Sequence, residues 1–257
     1  VILSVGPTGS GKTTTLYSIL SKLNTTETKI ITVEDPIEYQ IPGILQTQTK
    51  ESEGYTFATA LRSLMRQNPN ILMVGEIRDD ETAQVAVQAA STGHLVLSTL
   101  HANSASEVVS RLTAMGVTND DIANTGNLFM SQRLVRKICQ KCKEMASPTT
   151  EEKELIEKTL LSLPASEEKT AYLKNISIPH EKGCPSCGGT GFSGQMVIAE
   201  TLLLNKDISQ LISRGALVSE IEEKAIELGM ITMAQDGVLS VLEGDTTLTE
   251  VQRVTDI

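Results

Sequence analysis

Residues 6–13 read Gly-Pro-Thr-Gly-Ser-Gly-Lys-Thr, which fits the pattern G-x-x-x-x-G-K-[ST] without a mismatch. The residue types follow from the task of holding a phosphate chain. Gly6, Gly9 and Gly11 let the backbone close around an anion and turn N–H groups inward, with Pro7, Thr8 and Ser10 between them. Lys12 is placed to reach the β- and γ-phosphates of ATP or ADP. The Thr13 hydroxyl is placed to ligate Mg²⁺, and Thr14 completes the set. The flanks agree. Val1–Val5 is a short apolar run suited to a buried parallel strand. Leu16, Ile19, Leu20 and Leu23 then recur at helical spacing. The loop therefore joins a strand to a helix N-terminus, where the helix dipole favours phosphate. A chance glycine-rich turn would not come with that context.

Composition narrows the function classes. The formal net charge is −10, and aromatic residues make up 3% with no Trp. Gripping nucleic acid needs a basic footprint, and single strands are usually held by stacking on aromatic rings. No Lys/Arg-rich amphipathic face suggests a membrane-surface helix, and no run of about 20 apolar residues suggests a span. Any membrane connection is expected to run through a protein partner. The chain begins in a core strand five residues before the phosphate loop. That position suggests a piece of a longer protein with its N-terminal domains absent.

Four cysteines form two knuckles, Cys139-x-x-Cys142 and Cys184-x-x-Cys187, separated by residues 143–183. Two such knuckles in a reducing compartment read as a tetrahedral Zn²⁺ site of four thiolates with an insertion looping out between them. Basic Arg133, Arg136, Lys137, Lys141 and Lys143 lie near the first knuckle and offset thiolate charge. A redox pair or a disulfide is the rival reading, though the thioredoxin-like context it needs is not evident.

Along the chain, residues 1–135 read as an α/β nucleotide domain with a mostly parallel sheet. Strands are expected over 29–33, 44–49, 71–75 and 94–100, and helices over 56–66, 81–90 and 104–115. Residues 136–200 hold the zinc framework, with a helix over 149–163 and Pro148, Pro164 and Pro179 as punctuation. Residues 201–257 read as a helical tail. Ser104-x-x-Glu107, Ser219-x-x-Glu222 and Thr247-x-x-Glu250 match capping boxes.

In open α/β sheets ligands sit at the carboxyl ends of the strands. Glu34, Asp35 and Glu38 follow one expected strand and Glu76 another, the set that Mg²⁺ and an attacking water require. Arg78 is a candidate phosphate sensor, or a surface ion-pair partner of Asp79 or Asp80. Arg62 and Arg66, one helical turn apart, fit a nucleotide, a neighbouring subunit or a plain exposed face. His94 and His101 bracket one apolar strand.

The set Gly6–Thr13, Ile31-Thr-Val-Glu-Asp-Pro-Ile-Glu-Tyr39, Ile71-Leu-Met-Val-Gly-Glu-Ile-Arg-Asp79 and Ser98-Thr-Leu-His-Ala-Asn-Ser104 resembles the bacterial type II secretion and type IV pilus assembly ATPases, the GspE/PilB group. In that family these segments are the Walker A, Asp, Walker B and His boxes, in this order. The resemblance extends through Cys139–Cys187 to Gly229–Gly237. It implies a RecA-like P-loop NTPase core, with a small zinc-binding segment and a helical C-terminal tail. Carried over, it makes Glu38 the catalytic base, supported by Glu34 and Asp35. It makes Glu76 the residue that positions Mg²⁺ or water. His101 and His94 become sensors of nucleotide. It implies a cytoplasmic homo-hexamer, peripherally bound to the inner membrane through a platform protein. The tetracysteine segment favours secretion or pilus extension over retraction. Gly194-Gln195 departs from the Gly-Arg common in the family.

Family members also supply arginines from a preceding domain, and such a residue is worth roughly 10³–10⁵ in rate. The fragment alone is therefore expected to bind nucleotide and hydrolyse it slowly. Two other readings stay open from the residues: a zinc-stabilised nucleotide switch or assembly module, and a nucleic-acid-dependent ATPase with a zinc ribbon. The acidic charge and scarce aromatics weigh against the second.

Overall fold

The computed structural model describes residues 1–161, 163 and 176–257. The expected punctuation at Pro164 lies outside the described residues. The first half alternates strands with helices: β1 (Ile2–Val5), α1 (Lys12–Leu23), β2 (Ile30–Glu34), β3 (Leu45–Gln48), α2 (Phe57–Met65), β4 (Ile71–Val74), α3 (Asp80–Ser91) and β5 (Leu95–Leu100). Next come α4 (Glu107–Ala114), α5 (Asn119–Thr125), β6 (Leu128–Ile138), β7 (Glu144–Ala146), α6 (Thr150–Thr159), β8 (Ile178–His180) and β9 (Phe192–Leu203). Four helices close the chain: α7 (Lys206–Ser213), α8 (Val218–Glu227), α9 (Met233–Leu242) and α10 (Leu248–Gln252).

The main sheet has seven strands in the order β3-β2-β4-β5-β1-β6-β9. The ladders joining β3 to β2, β2 to β4, β4 to β5, β5 to β1 and β1 to β6 are all parallel. Every residue of β2 and β4 is buried. That is what near-continuous apolar strands covered on both faces require. Ile71 and Met73 join Leu16, Tyr17 and Leu20 of α1 in one core cluster. Leu72 and Val74 alternate to the other face.

The chain divides into two compact units. The first comprises 1–131 and 201–225, the second 132–200 and 226–257. The three consecutive segments read from the sequence thus become two interleaved units. Helix α7 and all of α8 up to Ala225 belong with the first unit. In the second unit Val135, Ile156, Ile178, Ile198, Val238 and Val251 form a buried core.

Local signals account for most helix starts. Thr149 and Glu152 form a reciprocal box at α6, and Thr232 and Gln235 do so at α9. Helix α6 ends at Thr159, short of the expected Leu163. The Ser219-x-x-Glu222 pattern does not cap a helix: α8 already starts at Val218, and Glu220 accepts from the Leu217 N–H at 2.7 Å.

Candidate nucleotide site and tetracysteine cluster

In the first unit, four strand ends converge on one cavity of about 820 Å³. The loop after β1 contributes residues from Thr8 to Thr14. The loop after β2 brings Glu34, Asp35, Glu38 and Tyr39. The end of β4 adds Gly75, Glu76 and Arg78, and β5 adds Thr99 and His101. The phosphate loop needs its glycines here: Gly9 and Gly11 adopt φ of 79° and 85°, the left-handed region. Gly11 immediately precedes α1, so the loop delivers its N–H groups to the helix N-terminus. The Lys12 ammonium folds back and donates to the Gly6 and Pro7 carbonyls, each at 2.9 Å.

Gly75 serves another need. A Cβ there would lie 3.3 Å from Glu34 Cα and 3.4 Å from the Val33 carbonyl, so its absence lets β4 lie close against β2. Thr99 donates to the Gly75 carbonyl at 2.8 Å and ties β5 to the same point. Glu76 is the hub of the charges beyond. It pairs with Arg78, which also reaches Asp35 at 3.4 Å, and His101 Nε2 stands 3.7 Å from its second oxygen. The hydrogen bond to Glu76 raises the Arg78 pKa further.

Glu34 differs from the other acids. Only 2% exposed, it accepts hydrogen bonds from the Tyr17 and Thr32 hydroxyls and from the Gln46 amide. Asp35 and Glu38 are exposed at the cavity rim. His94 is not brought to this cavity. It precedes β5, at the amino end of a six-residue strand, and its Nδ1 lies 2.9 Å from the Ala89 carbonyl and 3.1 Å from Thr92 Oγ1. Arg62 pairs with Glu81 at 2.6 Å, joining α2 to α3, and Arg66 donates to Ser63 at 3.3 Å. Sequence reasoning missed Tyr17, Tyr39 and Gln46. The available signal was the polar period of Gln46 and Gln48 on an edge strand beside an acidic loop.

In the second unit the sulfurs of Cys139, Cys142, Cys184 and Cys187 all lie within 4.8 Å of one another. Cys139–Cys184 and Cys142–Cys187 are 3.9 Å apart, and Cys184–Cys187 3.7 Å. A tetrahedron with Zn–S bonds of about 2.3 Å has S···S edges of about 3.8 Å, whereas a disulfide needs about 2.0 Å. The donor set fits a tetrahedral metal ion and not a covalent pair. The Cys184 and Gly191 N–H groups donate to Cys187 Sγ at 3.2 and 3.3 Å. These backbone donors, led by Cys184, lower the Cys187 pKa to about 6, while burial and the neighbouring thiols push Cys142 up to about 12, so the thiolate is favoured at Cys187 and not at Cys142.

Strand-end loops gathered around a glycine-rich loop at a helix N-terminus define a RecA-like P-loop fold. The sequence model of the type II/IV secretion system proteins matches residues 1–253, and this chain belongs to that family. It is 45% identical over 251 residues to the type IV pilus assembly ATPase PilB of Thermus thermophilus, covering 98% of this chain and 27% of the relative. It is 46% identical over 256 residues to the type II secretion system protein E of Xanthomonas campestris, covering 100% of this chain and 43% of the relative. The chain thus spans less than half the length of these relatives. The solved structure of the pilus retraction motor PilT with bound ADP superposes with a TM-score of 0.71 at 27% identity, covering 100% of this chain and 61% of that one.

Proposed function

We propose that this chain is the ATP-binding and ATP-hydrolysing motor domain of a type II secretion or type IV pilus assembly machine. The observation that carries the reading is the single cavity that joins the phosphate loop to acidic residues from the ends of β2 and β4. Gly6–Thr14 cradle the phosphates, and Lys12 leaves its carbonyl partners to meet the β- and γ-phosphates. Thr13, with Glu76, would hold Mg²⁺, which would supply positive charge against the phosphates. Glu38 takes the proton from the attacking water, with Asp35 and Glu34 supporting its loop. Arg78 and His101 share Glu76, so a γ-phosphate that draws off Arg78 changes the field at His101. The four cysteines would hold Zn²⁺ through four thiolates, a donor set that supplies structural support and no catalysis.

Among the described residues no helix is long and apolar enough to cross a membrane. The family relationship supports a homo-hexamer at the cytoplasmic face of the inner membrane, acting through a platform protein. The test is steady-state ATP hydrolysis by the full-length protein beside its Glu38→Gln variant, with nucleotide affinity measured for both. Turnover should fall roughly 10²–10⁴-fold in the variant with affinity retained. Binding without turnover in the unaltered protein would refute the motor reading in favour of a nucleotide switch. Normal turnover in Glu38→Gln would remove the base from Glu38.

A further inference from the structure

The loop that carries Asp35, Glu38 and Tyr39 runs from β2 to β3, and residues 35–44 contain no helix or strand. Side chains hold it. Asn24 donates to the Pro42 carbonyl at 2.7 Å, and Gln48 accepts from the Ile37 N–H at 3.4 Å. Gln46 does most. Its amide oxygen accepts from the Ile41 N–H at 2.6 Å. Its amide nitrogen donates to the Tyr39 carbonyl and to Glu34 Oε1, each at 3.1 Å. One planar group thus ties the loop on both sides of residue 40 to the buried acid at the end of β2.

Glu34 passes the restraint on. Its other oxygen accepts from Tyr17, which stands on α1, the helix that begins at Lys12. The Gln46 amide nitrogen also reaches the Tyr17 hydroxyl, at 3.5 Å. Burial, and then the bond to Glu34, raise the Tyr17 pKa far above the ordinary phenol range, so the hydroxyl stays a donor. The Tyr39 ring packs edge-on against Tyr17 with centroids 4.7 Å apart. The phosphate-loop helix, the end of β2 and the Glu38 loop are thereby joined in one hydrogen-bonded set.

We propose that Gln46 is a positioning residue for hydrolysis: acting through Glu34 and Tyr17, its amide fixes the loop that holds Glu38 against the phosphate loop. This rests on the reading of Glu38 as the base. Only an amide of this length supplies an acceptor for Ile41 and donors for Tyr39 and Glu34 together; an ionised carboxylate has no donor. A base displaced by about 1 Å costs up to roughly 10²-fold in rate, while phosphate contacts made by another loop are unaffected.

The experiment uses the full-length protein with ATP, and the variants Gln46→Ala, Gln46→Glu and Glu38→Gln. Gln46→Ala should lower kcat by roughly 10-fold to 100-fold with KM for ATP held within about threefold. Amide hydrogen exchange should quicken at residues 37–41 and stay unchanged at residues 6–13. Gln46→Glu faces Glu34 from β2 and Tyr17 from α1. Its activity relative to the unaltered protein should recover as pH falls from about 8 to about 6, because the protonated acid regains a donor. A merely structural role would not give that recovery.

Unchanged kcat in Gln46→Ala, or equal loss of kcat and affinity, overturns the positioning role and leaves the base assignment standing. Normal turnover in Glu38→Gln sinks the base assignment and the positioning role with it, whatever the exchange data show.

Discussion

Replacing Glu250 by Gln tests what holds the tetracysteine unit together. Glu250 on α10 is 1% exposed, yet it is surrounded by donors. Arg136 supplies its backbone N–H at 2.8 Å and its guanidinium at 2.8 Å. Arg253 supplies two guanidinium N–H groups at 3.1 and 2.9 Å. Burial alone would raise the carboxyl pKa, but the hydrogen bonds from Arg253 and Arg136 win and hold it at about 2, against an ordinary 4.5. That difference corresponds to about 3 kcal/mol. Both guanidinium groups are half exposed, so solvent screening reduces it to about 2 kcal/mol. The sign follows from the depressed pKa. The stabilisation is complete above pH 4.5 and is lost as pH falls through about 2.

Glu250→Gln keeps the volume and removes the charge. In urea unfolding followed by far-ultraviolet circular dichroism, the variant should be about 2 kcal/mol less stable at neutral pH. The gap should close steadily as the medium is acidified below pH 4.5. Acid would also release any metal held by the cysteines, but it would do so in both proteins, and the difference between them isolates Glu250. A gap that stays constant under acidification would refute the assignment of this stability to an ionised Glu250.

Two further expectations concern the same unit. Cys184→Ser should abolish stoichiometric zinc, measured by metal analysis, and loosen residues 132–146 and 178–200 in hydrogen exchange. Nucleotide affinity should change by less than about threefold, because three thiolates bind the ion far more weakly than four and the phosphate loop lies in the other unit. Gly237→Ala sets helix propensity against packing. Alanine gains up to about 1 kcal/mol in a helix interior, but its Cβ would lie 2.5 Å from Val251 Cγ1, a clash worth about 1–3 kcal/mol. Net destabilisation is expected in thermal unfolding, and the double variant Gly237→Ala/Val251→Ala should relieve the clash; a stabilised single variant would contradict this packing.

The parts of the fold that sequence made legible are those whose signal is local. The phosphate loop, α1 and the apolar strands β2, β4 and β5 each declare themselves within a dozen residues. Strand β6 escaped because Arg133, Arg136 and Lys137 interrupt its apolar alternation, although Phe129, Val135 and Ile138 are buried. Interleaved units were illegible for a similar reason. No composition shift marks residue 201 or residue 225, where the chain passes from one unit to the other.

The candidate site divides along the same line. Thr8–Thr14, Glu38, Glu76 and His101, which line one cavity, are legible as candidates because phosphate chemistry asks for those residue types at strand ends. His94 pairs with His101 in the sequence only because the two flank one apolar strand. A parallel sheet gathers ligands only at carboxyl ends, and β5 holds the two histidines a full strand length apart, about 20 Å. Gln46 shows the converse. It is an unremarked amide on an edge strand, twelve residues after Glu34 in sequence. Parallel pairing of β2 with β3 sets Thr32 opposite Gln46 in the ladder, and that register brings the amide within reach of Glu34. Which acid acts on a substrate can be argued from chemistry along the chain. Which residue holds that acid in place depends on strand register, and register exists only once the sheet has formed.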